Sequence, residues 1–221
     1  MKKRLQIISS LLCLAAMLGT ASLAWAQTPA EAQLRDLSAF GIMTGDENGN
    51  LRLEDTITRA EAVKMVCTAG GIKADANAQE QPFDDVTQAH WAYGYICAAK
   101  QADIVNGDEA GHFNPESRVT NEEIVKMLVC LLGYTPMAEA RGGYPAGYTA
   151  AAARAGITSN LNLPVNTPAV RGDVAVMFGR ALDVPLMRRD EDAEDAVFFV
   201  ADGQNGRPSE TLRSALLKGE K

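Results

Sequence analysis

Histidine and cysteine are scarce in this 221-residue chain: two histidines, His90 and His112, and four cysteines. One cysteine, Cys13, lies in the leader-like start, where the preceding Ser10-Leu11-Leu12 lacks the small residue that lipidation requires. Cys67, Cys97 and Cys130 remain. An odd number excludes a complete disulfide framework, and each stands in an apolar helical pattern that suits a buried free thiol. No C-x-x-C pair and no histidine at ligand spacing accompanies them, so no metal site and no cofactor is expected. Basic charge is also short, 21 Lys and Arg against 28 Asp and Glu. Nucleic acid is therefore disfavoured as a partner, because backbone phosphates must be met by a basic surface. Small anionic ligands stay open, since screening confines fields to about 8–10 Å and a local arginine can dominate its own pocket. Catalytic sets are missing too: no Ser/His/Asp or Cys/His arrangement stands out, and no catalytic residue is expected.

Long apolar runs are lacking after the first 26 residues. Before that, Lys2, Lys3 and Arg4 precede an apolar stretch from Leu5 to Leu23, and Ala24-Trp25-Ala26 supplies the small-x-small pattern of a cleavage site. Residues 1–26 read as a signal peptide cut after Ala26, with an uncleaved membrane anchor as the alternative. Cleavage removes three basic residues and no acidic ones, leaving 18 against 28, a net charge of −10.

What is present is a repeat. Gly41-Ile42-Met43-Thr44-Gly45-Asp46 returns as Asp103-Ile104-Val105-Asn106-Gly107-Asp108, a shift of 62 residues that also carries Thr58 onto Thr120, Glu61 onto Glu123 and Lys64-Met65 onto Lys126-Met127. A weaker third copy follows at a shift of 53, placing Tyr144 on Trp91 and Ile157 on Ile104; its loop is three residues shorter, so Arg171 then aligns with Asn121 at a shift of 50. Each copy parses as a first helix, a loop and a second helix. The loop glycines, Gly45, Gly49, Gly107 and Gly111, read as turn residues tolerating positive φ. Thr58-Arg59-Ala60-Glu61 and Thr120-Asn121-Glu122-Glu123 are capping boxes, threonine at the N-cap and glutamate at N3. Apolar faces such as Ile124, Met127, Leu128 and Leu131 follow. No single pair can bury such a face alone, so the three second helices are expected to pack on one another in a mainly α, pseudo-threefold bundle with little strand before residue 195.

The order Phe83-Asp84-Asp85-Val86, His90-Trp91-Ala92, Ile-x-x-Gly-Asp loop, Phe113-x-Pro115 and T-x-x-E helix start resembles the S-layer homology family over about residues 30–186. The copies read as residues 27–75, 80–138 and 139–187, the first lacking its F-D-V and H-W elements and the third divergent. The resemblance implies a three-pronged spindle, secreted to the extracellular cell wall or S-layer, that binds secondary cell-wall polysaccharide, often through a pyruvate ketal, in grooves between copies. The implied polymer-binding residues are Arg59, Arg171, Trp91, Thr58 and Asn121. Arg59 opens a helix, where free N–H groups and the dipole favour an anion and a guanidinium can grip a carboxylate. Asn121 stands where the family has arginine, so its groove is expected to be weak or idle. Trp91 reads either as a platform for a sugar ring or as a core plug. Glu61, Thr120, Glu123, Gly45 and Gly107 are assigned to capping and structure. A second reading makes the chain an assembly protein of the surface layer, acting through contacts with other surface-layer proteins.

Three look-alikes are set aside. Adjacent Asp84 and Asp85 suit capping of the helix at His90-Trp91 better than catalysis. Asp46 to Asn50 reads as a turn, since position 12 of a calcium loop would be Ile57. Arg171-Gly172-Asp173 falls at a helix start. Residues 188–221 read as a mobile charged linker, Arg188 to Asp192, then an apolar run from Ala196 to Ala201 and a helix from Ser209 to Lys218.

Overall fold

The computed structural model describes residues 29–75, 78, 81–190, 197–204 and 208–219. The expected leader lies outside these residues, as do Ala196 and part of the charged linker. The chain is mainly α-helical: α1 (Pro29–Ala39), α2 (Arg59–Ala69), α3 (Tyr93–Gln101), α4 (Asn121–Leu131), α5 (Thr135–Glu139), α6 (Ala146–Arg154), α7 (Arg171–Ala181) and α8 (Leu212–Gly219), with two three-residue strands, β1 (Met187–Arg189) and β2 (Phe198–Val200).

The second helices α2, α4 and α7 start where the sequence marks them. Thr58 and Thr120 close full capping boxes at α2 and α4, whereas Val170 offers α7 no side-chain cap. The first helices do not pair within their own copy. Instead α3 packs on α2, α6 on α4, and α1 on α7, so each prong joins the second helix of one copy to the first helix of the next. The N-terminal helix thereby closes the circuit on the last copy. An amphipathic helix buries its apolar face against whichever neighbour the hub presents, not the one nearest in sequence.

That hub is built from extended residues just before each second helix. Thr56 bridges Val170, Arg118 bridges Thr58, and Pro168 bridges Thr120. Between them the backbone closes a ring: Ile57 N–H donates to Ala169 O (3.3 Å), Ala169 N–H to Val119 O (2.8 Å), and Val119 N–H to Ile57 O (3.2 Å). All three side chains are fully buried. Pairing these amides with one another leaves no orphan donor in the centre, where water cannot reach.

The tail differs from the expected mobile linker. Met187–Arg189 pair antiparallel with Phe198–Val200, and Arg188 donates to Glu210 (3.0 Å). Met187 N–H reaches Leu132 O (2.9 Å) and Arg213 N–H reaches Leu182 O (2.9 Å), fastening the segment to the ends of α4 and α7. Leu186, Met187, Ala201 and Leu212 are buried. Charge at Arg188 and Arg189 suggested solvation, and both side chains are exposed; the segment is anchored by the buried Leu186 and Met187 just before them.

Candidate functional site

Two grooves open between copies, each built on the same plan. One, about 450 Å³, is lined by the first loop (Ile42 to Asp46), by Thr58, Glu61 and Lys64 of the α2 start, by Arg171 and by Trp91. The other, about 440 Å³, holds the second loop (Ile104 to Asp108), Thr120, Glu123 and Lys126, with Arg59 and Tyr144. Each groove thus takes its loop and capping box from one copy, its arginine from the copy before in the circuit, and its aromatic from the copy after. Arg118 lines both.

Both arginines are committed to the scaffold more fully than the sequence reading allowed. Arg59 donates through Nε to Phe113 O (2.8 Å), through Nη2 to Asn106 O (3.2 Å) and through Nη1 to Glu123 Oε1; its carbon Cζ lies 4.6 Å from the Phe113 ring centroid. Arg171 repeats the pattern, with Nε to Leu51 O (2.8 Å), Nη2 to Thr44 O (3.3 Å) and Nη1 3.9 Å from Glu61. The capping glutamate explains the pairing. One oxygen of Glu123 accepts from Thr120 N–H (2.8 Å), closing the box, and the other receives the guanidinium. A guanidinium has five N–H donors, so about two remain for a ligand. The side chains are 12% and 15% exposed, and each borders an open groove.

Lys64 and Lys126 carry the uncommitted charge. Neither ammonium enters an ion pair or hydrogen bond among the described residues; Lys126 Nζ lies 5.8 Å from the Tyr144 ring centroid, in cation–π range. Their repeated Lys-Met pair was visible in the sequence as part of the repeat, and its place on the groove-facing side of the second helix is what gives it meaning. Counted over the lining, the grooves hold more cations than acids: Arg52, Lys64, Arg118 and Arg171 against Asp46 and Glu61, and Arg59, Arg118 and Lys126 against Asp108 and Glu123. In an acidic chain these are local positive fields.

Trp91 is 55% exposed, so it is a groove wall and not a core plug; it stacks on His90 at 5.7 Å. Tyr144, its counterpart, is 50% exposed. Asn121 is buried, its amide donating to Pro164 O (3.1 Å), and it lies in neither of the two grooves.

Two local expectations are corrected. Gly49 and Gly111 have positive φ, 80° and 82°, but Gly45 and Gly107 do not. Their reason is space: a Cβ at Gly45 would sit 2.5 Å from the Gly49 carbonyl carbon, and at Gly107 2.9 Å from His112 O. Asp85 caps no helix; its two oxygens accept Phe113 N–H (2.7 Å) and Asn114 N–H (2.6 Å), holding the loop beside Arg59, and α3 begins at Tyr93 without a side-chain cap. Asp46 and Asp108 organise turns, as expected for the first. Asp46 Oδ1 accepts from Asn48 and Asn50, Asp108 Oδ1 from Ala110 and His112, and those backbone donors hold both carboxyls below the ordinary value. Among the described residues no cluster of three or more His, Cys, Asp or Glu could hold a metal. The free thiols are accounted for by packing, with burial pushing Cys67 up to about 12 and raising Cys97 and Cys130 as well.

Known proteins share this pattern. The S-layer homology domain family matches residues 30–63 and 82–124. The middle cell wall protein of Brevibacillus brevis is 32% identical over 190 residues, 85% of this chain and 17% of that protein. The surface layer protein of Brevibacillus choshinensis is 30% identical over 190 residues, 85% of this chain and 16% of its own length. A cell surface protein of Thermoanaerobacter kivui is 30% identical over 155 residues, 69% of this chain and 20% of that one. The chain thus spans a fifth or less of the length of these relatives. With two matched stretches falling on the first two copies of the repeat, and the loop, capping box and helix of each in place, the chain is an S-layer homology domain protein.

Proposed function

We propose that this protein attaches non-covalently to the bacterial cell wall by binding an anionic secondary wall polysaccharide in the two grooves, and that it catalyses nothing. One observation carries the reading: the same constellation of a half-committed guanidinium, a free lysine and an exposed aromatic is built twice, from different copies. Sugar rings have apolar faces that lie against flat aromatics such as Trp91 and Tyr144. A pyruvate-ketal carboxylate beside them would take the remaining guanidinium N–H groups and the lysine ammonium as charge-assisted donors. Names of the relatives, a cell wall protein and surface proteins, place such chains at the cell surface, and a secreted, wall-associated location follows for this one.

The test is sedimentation with isolated wall polymer, before and after chemical removal of its pyruvate. Binding should fall at least tenfold without pyruvate, and K64A/K126A should reproduce that loss with the fold intact. Binding that ignores both pyruvate and the lysines sinks the reading. Self-association that rises with protein concentration and survives the lysine variant would favour the assembly role instead, through exposed Val197 and Phe198 beside the β1–β2 pair.

A further inference from the structure

Among the described residues, Arg118 alone lines both grooves. It stands in the extended segment ahead of α4, next to Val119 of the buried ring, and is itself exposed. Alternate residues of an extended chain face opposite ways, so its side chain leaves the core where that of Val119 enters it. The backbone bridge between Arg118 and Thr58 fixes the segment against the start of α2, at the seam where the two grooves meet. Its one side-chain hydrogen bond among the described residues runs from Nη1 to Thr56 O (3.3 Å), and it enters no ion pair there.

Internal comparison shows that the fold does not ask for this charge. The equivalent position is Thr56 in the first copy and Pro168 in the third, by the same shifts of 62 and 50 that align the helices. Both still make their hub bridges, Thr56 with Val170 and Pro168 with Thr120, because that pairing is made by the backbone. The other two groove arginines are spent differently. Arg59 and Arg171 each give two bonds to carbonyls and face a capping glutamate. A guanidinium has five N–H donors, so Arg118 keeps about four, on a charge that neither packing nor pairing accounts for.

We propose that Arg118 joins the two grooves into one continuous track, occupied by a single polymer strand that places an anionic group in each. The inference rests on the wall-polymer reading and narrows its ligand class to strands with anionic groups on nearby units. Because both grooves reach the same side chain, their near ends lie within the span of one arginine, a gap that a short stretch of glycan crosses. The planar guanidinium can donate to carboxylates or hydroxyls on either side of it. Once one groove is filled, the second binding step is intramolecular, which raises avidity by about 10²–10⁴ without any new kind of contact.

Calorimetric titration of the full chain decides the matter, with a monosaccharide bearing one pyruvate ketal compared with an oligosaccharide bearing two. The oligosaccharide should bind one per chain and at least a hundredfold more tightly than the monosaccharide, which should bind two per chain. Arg118→Gln should weaken the oligosaccharide at least tenfold with an unchanged urea midpoint, and Arg118→Lys, which keeps the charge, should recover most of that loss. Lys64→Ala and Lys126→Ala should each weaken one monosaccharide site, whereas Arg118→Gln should weaken both. Two oligosaccharides bound per chain, a gain of only about twofold from the second pyruvate, or an Arg118→Gln variant that binds like the parent overturns the proposal and leaves the grooves as separate anion sites. Binding of neither sugar sinks the wall-polymer reading, and this inference with it.

Discussion

At the scale of single residues, Arg59 and Arg171 are stitches first and ligand groups second. Each ties the start of one second helix to the loop of the neighbouring copy through two carbonyls and a capping glutamate. Arg59→Lys separates the roles. A lysine keeps the charge, but its point-like ammonium cannot reach Phe113 O, Asn106 O and Glu123 in one geometry. The variant should lose about 1–3 kcal/mol of stability in urea denaturation, from acceptors left without a donor, and retain part of its polymer binding. A stability equal to that of the parent chain would mean the stitch contributes nothing. The position of Arg59 was legible in the sequence because the T-x-x-E start fixes it on a helix terminus, and that of Arg171 because the repeat aligns it with Asn121 at the start of the next second helix. Their partners were not, because Phe113 and Asn106 lie 54 and 47 residues away and carbonyl acceptors leave no mark on residue identity. Lys64 and Lys126 were plainly repeated, but only the helix's orientation in the groove shows that their ammonium groups are free.

At the scale of elements, the capping boxes set where the helices begin, and the one copy without a box is informative. Val170 sits at φ −90° and ψ 136°, the extended geometry of an N-cap, with no side-chain oxygen to offer. Val170→Thr should therefore stabilise α7 by up to about 1 kcal/mol, and Thr120→Ala should destabilise α4 by about 1 kcal/mol, both read as shifts in the urea midpoint. If Val170→Thr lowers the midpoint, burial of the valine methyls outweighs the missing cap. The second helices and their apolar faces were readable from periodicity, and the starts of α2 and α4 from their capping boxes, all local signals; α5 and the start of α3 were not. The partnering of α3 with α2, α6 with α4 and α1 with α7 was not. Amphipathicity says that a face must be covered, and the ring at Ile57, Val119 and Ala169 decides by what.

At the scale of the whole molecule, the circuit closes at the junction between the chain's first helix and its last copy, where α1 packs on α7. There α1 contributes Leu37, its one fully buried large side chain among the described residues, and packs so closely on α7 that a Cβ at Gly179 would lie 3.0 Å from Gln33. Arg213 of α8 braces this junction from outside. It bonds Asp36 of α1 (2.6 Å) and both oxygens of Asp183 just beyond α7 (2.6 and 3.0 Å), and those carboxylates hold its guanidinium strongly in the charged form. The three side chains are 27%, 39% and 61% exposed, so solvent screens the network and its loss should cost only about 1 kcal/mol globally. Locally the effect should be larger, because the network ties α1, the end of α7 and α8 together at one point. Native-state hydrogen exchange on Arg213→Ala should show faster exchange in α1 and α8, with α2, α3 and α4 unchanged. The Arg171 groove, which shares α7 with this junction, should then lose polymer before the Arg59 groove does. Uniform acceleration across all helices would instead mean that the circuit opens as one cooperative unit, and that the tail braces the entire bundle.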